Sequence, residues 1–415
     1  MSMEYVYLNR EVVLNSIRNL SQITFEVTDA CNLHCKYCGY GEMYGGYDKR
    51  ENKRLPVGVA YRILEYWYEQ WRHSDSVSKK TYISFYGGEP LLNMDFIQAV
   101  VEWVEAHPLP QCDFEFTMTT NAVLLHRYID YLVEHRFRIL VSLDGNKTNN
   151  GYRLDFDGHS SFERVFENVK SVQRNYPEYF DKYISFNSVL HNLNDYETIV
   201  DFFQKEFGKL PSIAELSNRG VKEEKRGEYL RMRNGKLASY GKIKDKKRFE
   251  DSILLDLPES SLLGTYLFAH SGNVFYSYRE LLANPDKRKW YPTGTCLPFS
   301  RRIFVTVNGK ILPCERVDQY YALGHVDENG IEIDVDKIVD MYNGYFSKYI
   351  PQCSKCYHNN TCKQCILQHD DLQGKAVCPR FMNKEAFDIY QAEQLSFLAK
   401  HPTLYRKIMT DVIVH

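Results

Sequence analysis

The stretch Cys31-Asn-Leu-His-Cys35-Lys-Tyr-Cys38 decides how the chain is read. It follows a strand-like run, Ile23-Thr-Phe-Glu-Val-Thr28, and the short link Asp29-Ala30. Three thiols at spacings of four and three residues can close onto one soft metal centre from a single loop. A structural zinc or a fully capped iron–sulfur cubane takes four protein ligands, and the next cysteine along the chain is Cys112. His34 lies between two of the thiols, where its ring would have to fold back onto its own loop. Two readings fit the spacing: a [4Fe–4S] cluster whose fourth iron stays open to a small chelating ligand, and a zinc knuckle.

Working outward, the chain has 415 residues, 44% of them hydrophobic, and a formal charge of −2. That is enough for two domains and a sizeable core. The near-neutral charge gives no argument for nucleic acid, and no apolar run reaches the roughly 20 residues of a membrane span. The start, Met-Ser-Met-Glu-Tyr, has neither a basic n-region nor an apolar h-region, so no secretory signal is expected. A cytoplasmic protein is expected, and in that compartment 11 cysteines point to metal rather than disulfides.

From residue 23 to about residue 210, β-rich runs alternate with helical apolar spacing. Tyr82–Tyr86, Phe114–Thr119, Ile139–Leu143 and Tyr183–Val189 read as strands; Val57–Trp71, Met94–Ala106, Leu124–Glu134, Phe162–Arg174 and Tyr196–Phe207 read as helices. The alternation predicts a parallel α/β sheet with ligand chemistry at the carboxyl ends of its strands. Distinctive residues sit at those ends: Gly87-Gly88-Glu89-Pro90, Thr119-Thr120-Asn121, Ser142-Leu-Asp144-Gly145 and Val189-Leu190-His191. The paired glycines would let the backbone approach a ligand, and Glu89 offers a carboxylate to an ammonium group. A tight turn with a helix-N1 proline accounts for the same residues. His191 reads as a polar loop residue.

Together these motifs resemble the radical S-adenosylmethionine (SAM) enzymes. The resemblance implies a partial (β/α)6, TIM-like barrel. In it Cys31, Cys35 and Cys38 hold a [4Fe–4S] cluster, with Tyr37 beside it. It further implies that Gly87, Gly88 and Glu89 orient the SAM amino group, that Thr120 and Asn121 lie near the ribose, and that Ser142 and Asp144 complete the pocket. Arg153 would clamp the carboxylate, and the backbone at Leu190 would run along the adenine. The sequence departs from the family's pattern twice here: Ala122 replaces the usual glycine, and Thr148-Asn-Asn-Gly-Tyr152 stands where a His-Asp pair often precedes the arginine.

Seven cysteines fall between Cys296 and Cys378: Cys296, Cys314, Cys353, Cys356, Cys362, Cys365 and Cys378. Ile303–Val307, Asn308-Gly309 and Lys310–Pro313 carry a hairpin signature, with Asn-Gly suited to a type I′ turn. The dense thiols of 353–378 in a polar context require metal for order, and two zinc-ribbon sites are the alternative to iron–sulfur. The pattern resembles a Cys-rich SPASM domain with two auxiliary clusters. That resemblance implies Cys353, Cys356, Cys362 and Cys378 on an outer cluster, and Cys296, Cys314 and Cys365 on an inner one. One spacing differs, two residues between Cys362 and Cys365 instead of three. Cys112 matches no motif and is expected to be a buried thiol.

The expected organisation is an N-terminal extension at 1–22, a barrel at 23–248 including a basic insertion at 219–248, bridging helices at 249–295, a SPASM domain at 296–385 and a closing helix at 386–415. Between Arg219 and Arg248 twelve Lys/Arg face four Asp/Glu, a formal +8. That composition predicts an exposed, partly mobile strip, read either as a solvated loop or as a docking surface for an acidic peptide. The resemblance implies an enzyme with three [4Fe–4S] clusters and SAM that modifies a ribosomally made precursor peptide or protein, installing a thioether or carbon–carbon side-chain cross-link. Its expected partners are a flavodoxin- or ferredoxin-type electron donor and a separate leader-binding protein; nucleic acid and membrane are not expected. Three other readings stay open: anaerobic sulfatase maturation (formylglycine formation), small-molecule chemistry, and a non-enzymatic zinc-binding module.

Overall fold

The computed structural model describes residues 5–74, 79–247, 255, 257–270, 291–359, 362–369, 372, 374 and 376–411. Contacts divide the chain into two compact units. One joins Asn9–Lys236 to Cys296–Ile338; the other joins Met1–Leu8, Leu237–Thr295 and Val339–His415. This division follows space rather than the linear boundaries expected from sequence, because the hairpin segment folds with the barrel.

The barrel unit alternates strands and helices. After α1 (Arg10–Arg18) come β1 (Gln22–Thr28), α2 (Val57–Arg72), β2 (Lys79–Gly87), α3 (Met94–Ala106), β3 (Cys112–Thr120), α4 (Leu125–Glu134), β4 (Arg138–Ser142), α5 (Phe162–Asn175), α6 (Pro177–Tyr183), β5 (Ile184–Leu190), α7 (Tyr196–Phe207) and β6 (Ser212–Glu215). Strands β1 to β6 are hydrogen-bonded in that order, all parallel, which is the expected partial (β/α)6 barrel. β1 is buried on both faces: Ile23, Phe25 and Val27 alternate with Thr24, Glu26 and Thr28, none more than 5% exposed. On α2, Val59, Ile63, Trp67 and Trp71 recur at helical spacing and are buried. The Trp71 indole N–H donates to Leu20 O at 2.9 Å.

Four features depart from the sequence expectations. Residue Tyr183 ends α6, a short helix started by Pro177 at its first turn, so β5 begins one residue later than expected. Cys112 is half-buried at the start of β3 rather than enclosed. The hairpin strands β7 (Ile303–Val305) and β8 (Lys310–Leu312) extend the barrel sheet: β7 pairs parallel with β1, then β8, β9 (Gly324–Val326) and β10 (Ile331–Glu332) follow antiparallel. Their turn is not type I′. Only Gly309 has a positive φ, +76°; the Gly309 amide donates to Thr306 O and the Thr306 amide to Lys310 O. That is a type I turn closed by a left-handed glycine. It arises because the Val307 amide is drawn to Glu26 Oε2, 2.9 Å away, and the Lys310 amide to Thr306 Oγ1.

The basic segment is the fourth. Its first half is built into the barrel mouth rather than set apart as a mobile strip. Val221 bridges Tyr44, the Gly45 amide donates to Gly220 O, and the Asn192 amide donates to Met232 O. Tyr229 and Met232, on the helix Arg226–Met232, are buried in one apolar cluster with Tyr37, Met43, Tyr44 and Leu216. Arg219, its side chain 10% exposed, pairs with Asp318 at 2.7 Å and donates to Arg316 O. Aromatic and apolar side chains at helical spacing outweigh the charge run, and Arg231 and Arg233 are left as exposed charges.

In the second unit, the helix Pro258–His270 packs Leu263, Tyr266 and Leu267 against Leu404 and Ile408 of the helix Leu404–Asp411. The closing helix spans Lys384–Lys400, with Asn383 accepting from the Ala386 amide at its start. Of the expected bridging helices, 249–254, 256 and 271–290 lie outside the described residues, as does Arg248 of the basic segment. No described helix is long and apolar enough to cross a membrane.

The packing of the basic segment separates its arginines by effect. Arg219→Met should cost about 1–3 kcal/mol, because Asp318 and Arg316 O lose their partner in a mostly buried setting. Arg231→Glu and Arg233→Glu should stay within about 0.5 kcal/mol of wild type. Urea unfolding of the three variants checks this; equal costs would contradict the buttress described above.

Candidate active site

The loop Cys31–Cys38 leaves β1 at its carboxyl end and is held from several directions. The His34 amide donates to Leu154 O (2.7 Å) and the Lys36 amide to Tyr152 O (3.1 Å), so residues 152–154 run beside it. The Leu33 amide donates to Cys31 Sγ at 3.4 Å, and Asn121 Nδ2 approaches the same sulfur at 3.7 Å. N–H groups aimed at sulfur suit a thiolate ligand. Burial pushes the free Cys31 thiol up to about 11 and Cys35 up to about 12. These groups therefore become thiolates at neutral pH only with a cation beside them. His34 points outward, exposed and stacked on Phe156 at 5.5 Å, and does not join the thiols.

Gly87 and Gly88 close the next wall. A Cβ at Gly87, whose φ is +130°, would meet Thr28 O at 2.3 Å, and one at Gly88 would meet Ala30 O at 1.9 Å. The two glycines thus let β2's end pass against the root of the cluster loop, where the Gly88 amide donates to Thr28 O and the Glu89 amide to Ala30 O. Glu89 is fully buried. Its Oε1 accepts from the Leu91 amide (3.1 Å) and Thr120 Oγ1 (2.6 Å), and its Oε2 from the Asn121 amide (2.7 Å). The carboxylate offered from sequence to an ammonium group is first a brace between the β2 and β3 ends. Asn121 carries that brace on, donating to Asn32 Oδ1 at 2.7 Å. Ala122 takes φ +60°, the left-handed conformation that explains the glycine usual at this position, and Asn168 Nδ2 holds its carbonyl at 2.8 Å.

Opposite, Asp144 is fully buried at the end of β4. Its Oδ1 accepts from Arg153 Nη2 (3.0 Å) and the Val189 amide (2.9 Å); its Oδ2 accepts from the Tyr37 hydroxyl and stands 3.6 Å from His191 Nε2. Burial alone would raise this carboxyl, but the Arg153 guanidinium and His191 outweigh it and hold it below the ordinary carboxylate range. Arg153 also lies over the Tyr37 ring at 5.5 Å and acts electrostatically on Cys35. Its Nε is buried with no hydrogen-bond partner. A guanidinium beside the cluster loop with an unused buried donor fits a carboxylate such as that of SAM. Ser142 is half-buried on the same strand, and Leu190 is fully buried at the end of β5.

Sequence reasoning missed His191 as a site residue. It is fully buried, its ring 5.6 Å from Tyr37 and 4.9 Å from Tyr152, and it accepts from the Leu193 amide at Nδ1. Its place directly after a barrel strand, next to Leu190, was the available signal. Asn150 was missed as well: its side chain accepts from the Asp144 amide at 3.2 Å, in the segment where a His-Asp pair was sought.

In the second unit, Cys353, Cys356, Cys362 and Cys378 line one cavity of about 160 Å³, and Cys365 is not part of that lining. The Met382 amide donates to Cys356 Sγ at 3.5 Å, and burial raises Cys353 to about 12. Cys296 and Cys314 belong to the barrel unit and Cys365 to the second. The Arg316 amide donates to Cys314 Sγ at 3.4 Å, the same i+2 arrangement as at Cys31.

Two outcomes follow from this geometry. Burial drives the Glu26 and Glu89 carboxyls up to about 7, only partly offset by the hydrogen bonds they accept. Unfolded, both titrate near 4.5, so between the two values the folded metal-free protein holds more protons than the unfolded one. Their contribution is full below about pH 4.5 and is lost as pH rises through 7, by up to about 3 kcal/mol each. The stability of wild type minus that of Glu26→Gln, measured from pH 5 to 8, should therefore fall with rising pH; a constant difference would contradict it. Ala122→Gly, which relieves a left-handed alanine, should stabilise by about 0.5–1 kcal/mol in the same assay, and a loss would mean the turn is not strained.

Residues 25–205 match the Radical SAM superfamily. Over 403 residues the chain is 27% identical to the radical SAM cyclopropyl synthase TigE of Paramaledivibacter caminithermalis, covering 93% of this chain and 76% of TigE. It is 24% identical to a cysteine-type anaerobic sulfatase-maturating enzyme of Clostridium perfringens, covering 83% and 88% of the two chains. A solved structure of anSMEcpe with bound AdoMet and Cp18Cys peptide shares the fold at TM-score 0.61 and 18% identity, over 94% of this chain and 99% of that one. A radical SAM domain implies a [4Fe–4S] cluster and SAM. The barrel, its cysteine loop and these likenesses agree: residues 25–205 form a radical SAM domain, and the chain is an enzyme.

Proposed function

We propose that the chain is a SPASM-type peptide maturase with three [4Fe–4S] clusters, one at Cys31, Cys35 and Cys38 and two auxiliary. Cys353, Cys356, Cys362 and Cys378 would hold the outer auxiliary cluster. The observation that carries this reading is the shared cavity of four cysteines in a chain whose barrel already presents an open three-cysteine loop. Zinc at the same thiols is the alternative. Tetrahedral zinc takes four thiolates or imidazoles, and metal analysis separates it from iron.

When bound, the cluster and SAM supply a strongly oxidising carbon-centred radical by one-electron cleavage of SAM. The chain's own residues bind, orient and exclude water. Arg153 would hold the SAM carboxylate with its unused Nε; Gly87 and Gly88 would line the methionyl end. Thr120 and Asn121 would face the ribose, Ser142 and Asp144 would back the pocket, and the Leu190 backbone would flank the adenine. Tyr37, Asp144 and His191 fix the Arg153 side of the loop, which serves the near-attack geometry such chemistry needs.

A peptide substrate is supported by the peptide bound in the related anSMEcpe structure. Bond formation between carbons is supported by the relative named for making a cyclopropyl ring, which carbon–carbon bonds close; a thioether is the alternative cross-link. Formylglycine formation is the second reading, favoured by the sulfatase-maturating relative that aligns over most of both chains. The electron is expected from a flavodoxin- or ferredoxin-type donor, and the leader could be gripped by a separate protein.

Iron analysis after anaerobic purification should give about twelve irons per chain. With Cys31, Cys35 and Cys38 replaced by alanine, about eight should remain and 5′-deoxyadenosine should no longer form under dithionite. Stoichiometric zinc with little iron would overturn the reading, and so would 5′-deoxyadenosine formation by the triple variant.

A further inference from the structure

We propose that Glu26, Asp29 and Arg50 form a seat for one main-chain peptide group of the substrate, beside the cluster loop. This rests on the peptide reading above and deepens it. The three side chains come from β1, from the link before Cys31 and from the return segment after the loop, and none is used by the SAM-facing residues already described.

Each keeps hydrogen-bonding capacity that the chain does not use. Arg50 lies with its guanidinium over the Tyr40 ring at 4.5 Å, and its Nη2 is buried without a partner. Asp29 is 5% exposed; its Oδ2 accepts from the Glu51 amide, while Oδ1 is buried and unbonded. Glu26 is 3% exposed, and its Oε2 accepts from the Val307 amide; among the described residues no second donor reaches the carboxylate. Arg50 adjoins Glu51, whose amide donates to Asp29 Oδ2, and Asp29 follows Glu26 by three residues at the end of β1; Arg50 and Asp29 both act electrostatically on Glu26, and Arg50 on Cys31. Glu26 is also in register with Tyr86 on β2, whose ring stands 6.3 Å from Tyr40. That places the Tyr86 and Tyr40 phenols beside Glu26 and Arg50.

Buried polar groups without partners are uncommon in finished folds, and several converging on one place call for a ligand. Here a cationic donor and two carboxylates lie within electrostatic reach of one another, and among the described residues none is ion-paired with another. A peptide group matches that set: its carbonyl accepts from Arg50 and its N–H donates to Glu26 or Asp29. Burial brings the Glu26 carboxyl toward neutrality, which suits an uncharged partner better than a second ion. The α-ammonium and carboxylate of SAM carry the same donor and acceptor chemistry, so the test must tell the two apart.

The probe is N-acetyl-glycyl-glycine N-methylamide, titrated by saturation-transfer NMR into anaerobic, SAM-loaded holoenzyme. Its ester analogue, with the central N–H replaced by oxygen, is titrated beside it. Wild type should bind the amide about ten-fold more tightly than the ester. Arg50→Met should weaken the amide about ten-fold. Glu26→Gln, which keeps an acceptor for Val307, should abolish the preference for amide over ester, and SAM affinity measured by equilibrium dialysis should move less than two-fold in both. Amide binding unchanged in both variants overturns the seat while leaving a peptide substrate standing. Loss of SAM affinity in place of probe affinity assigns the groups to SAM and also overturns it. A wild type that binds neither probe sinks the seat and the peptide reading together.

Discussion

The site depends on one buried anion. Asp144 lies fully inside the barrel mouth and is held by Arg153, the Tyr37 hydroxyl, the Val189 amide and the nearby His191. Each partner comes from a different segment: the loop after β4, the cluster loop, β5 and the turn that follows it. A carboxylate in such a place costs several kcal/mol unless its oxygens are satisfied. Any movement of the cluster loop that took Tyr37 away would therefore expose that cost. The loop is fixed by electrostatics at its centre as much as by its own backbone.

Glu89 does the corresponding work on the opposite wall. Its three accepted hydrogen bonds join the ends of β2 and β3, and Asn121 transmits that joint to Asn32 and Cys31. The two carboxylates bracket the cysteine loop from both sides. Networks of this kind are rigid when fully satisfied, and a rigid frame suits a reaction in which a reactive carbon must meet one particular hydrogen.

Much of this was legible in the sequence. The period-2 and period-3.6 patterns locate β1 to β5 and the main helices to within a few residues, because each element buries one consistent face. The fold brings the three-cysteine loop and the motifs at the strand ends together, as their places after successive strands predict. What escaped was whatever depends on contacts between distant segments. His191 looks like a loop residue until Tyr37, Tyr152 and Asp144 surround it. The glycine pair after β2 suggests close approach to a ligand, yet its nearest neighbours are Thr28 O and Ala30 O. Asn308-Gly309 suggests a type I′ turn, but Glu26 on a strand some 280 residues earlier takes the Val307 amide and sets another geometry. The basic segment reads as a solvated strip by charge, while Tyr229 and Met232 bury one face of it beneath the cluster loop.

The central claim is that Cys31, Cys35 and Cys38 hold a cluster with one iron open to SAM, inside a frame set by Asp144 and Glu89. The most direct measurement is electron paramagnetic resonance of the dithionite-reduced protein with and without SAM. The account requires a [4Fe–4S]+ signal whose g values shift when SAM is added and which is absent from the protein lacking those three cysteines. A spectrum indifferent to SAM, or a SAM-sensitive signal that survives their removal, would contradict it.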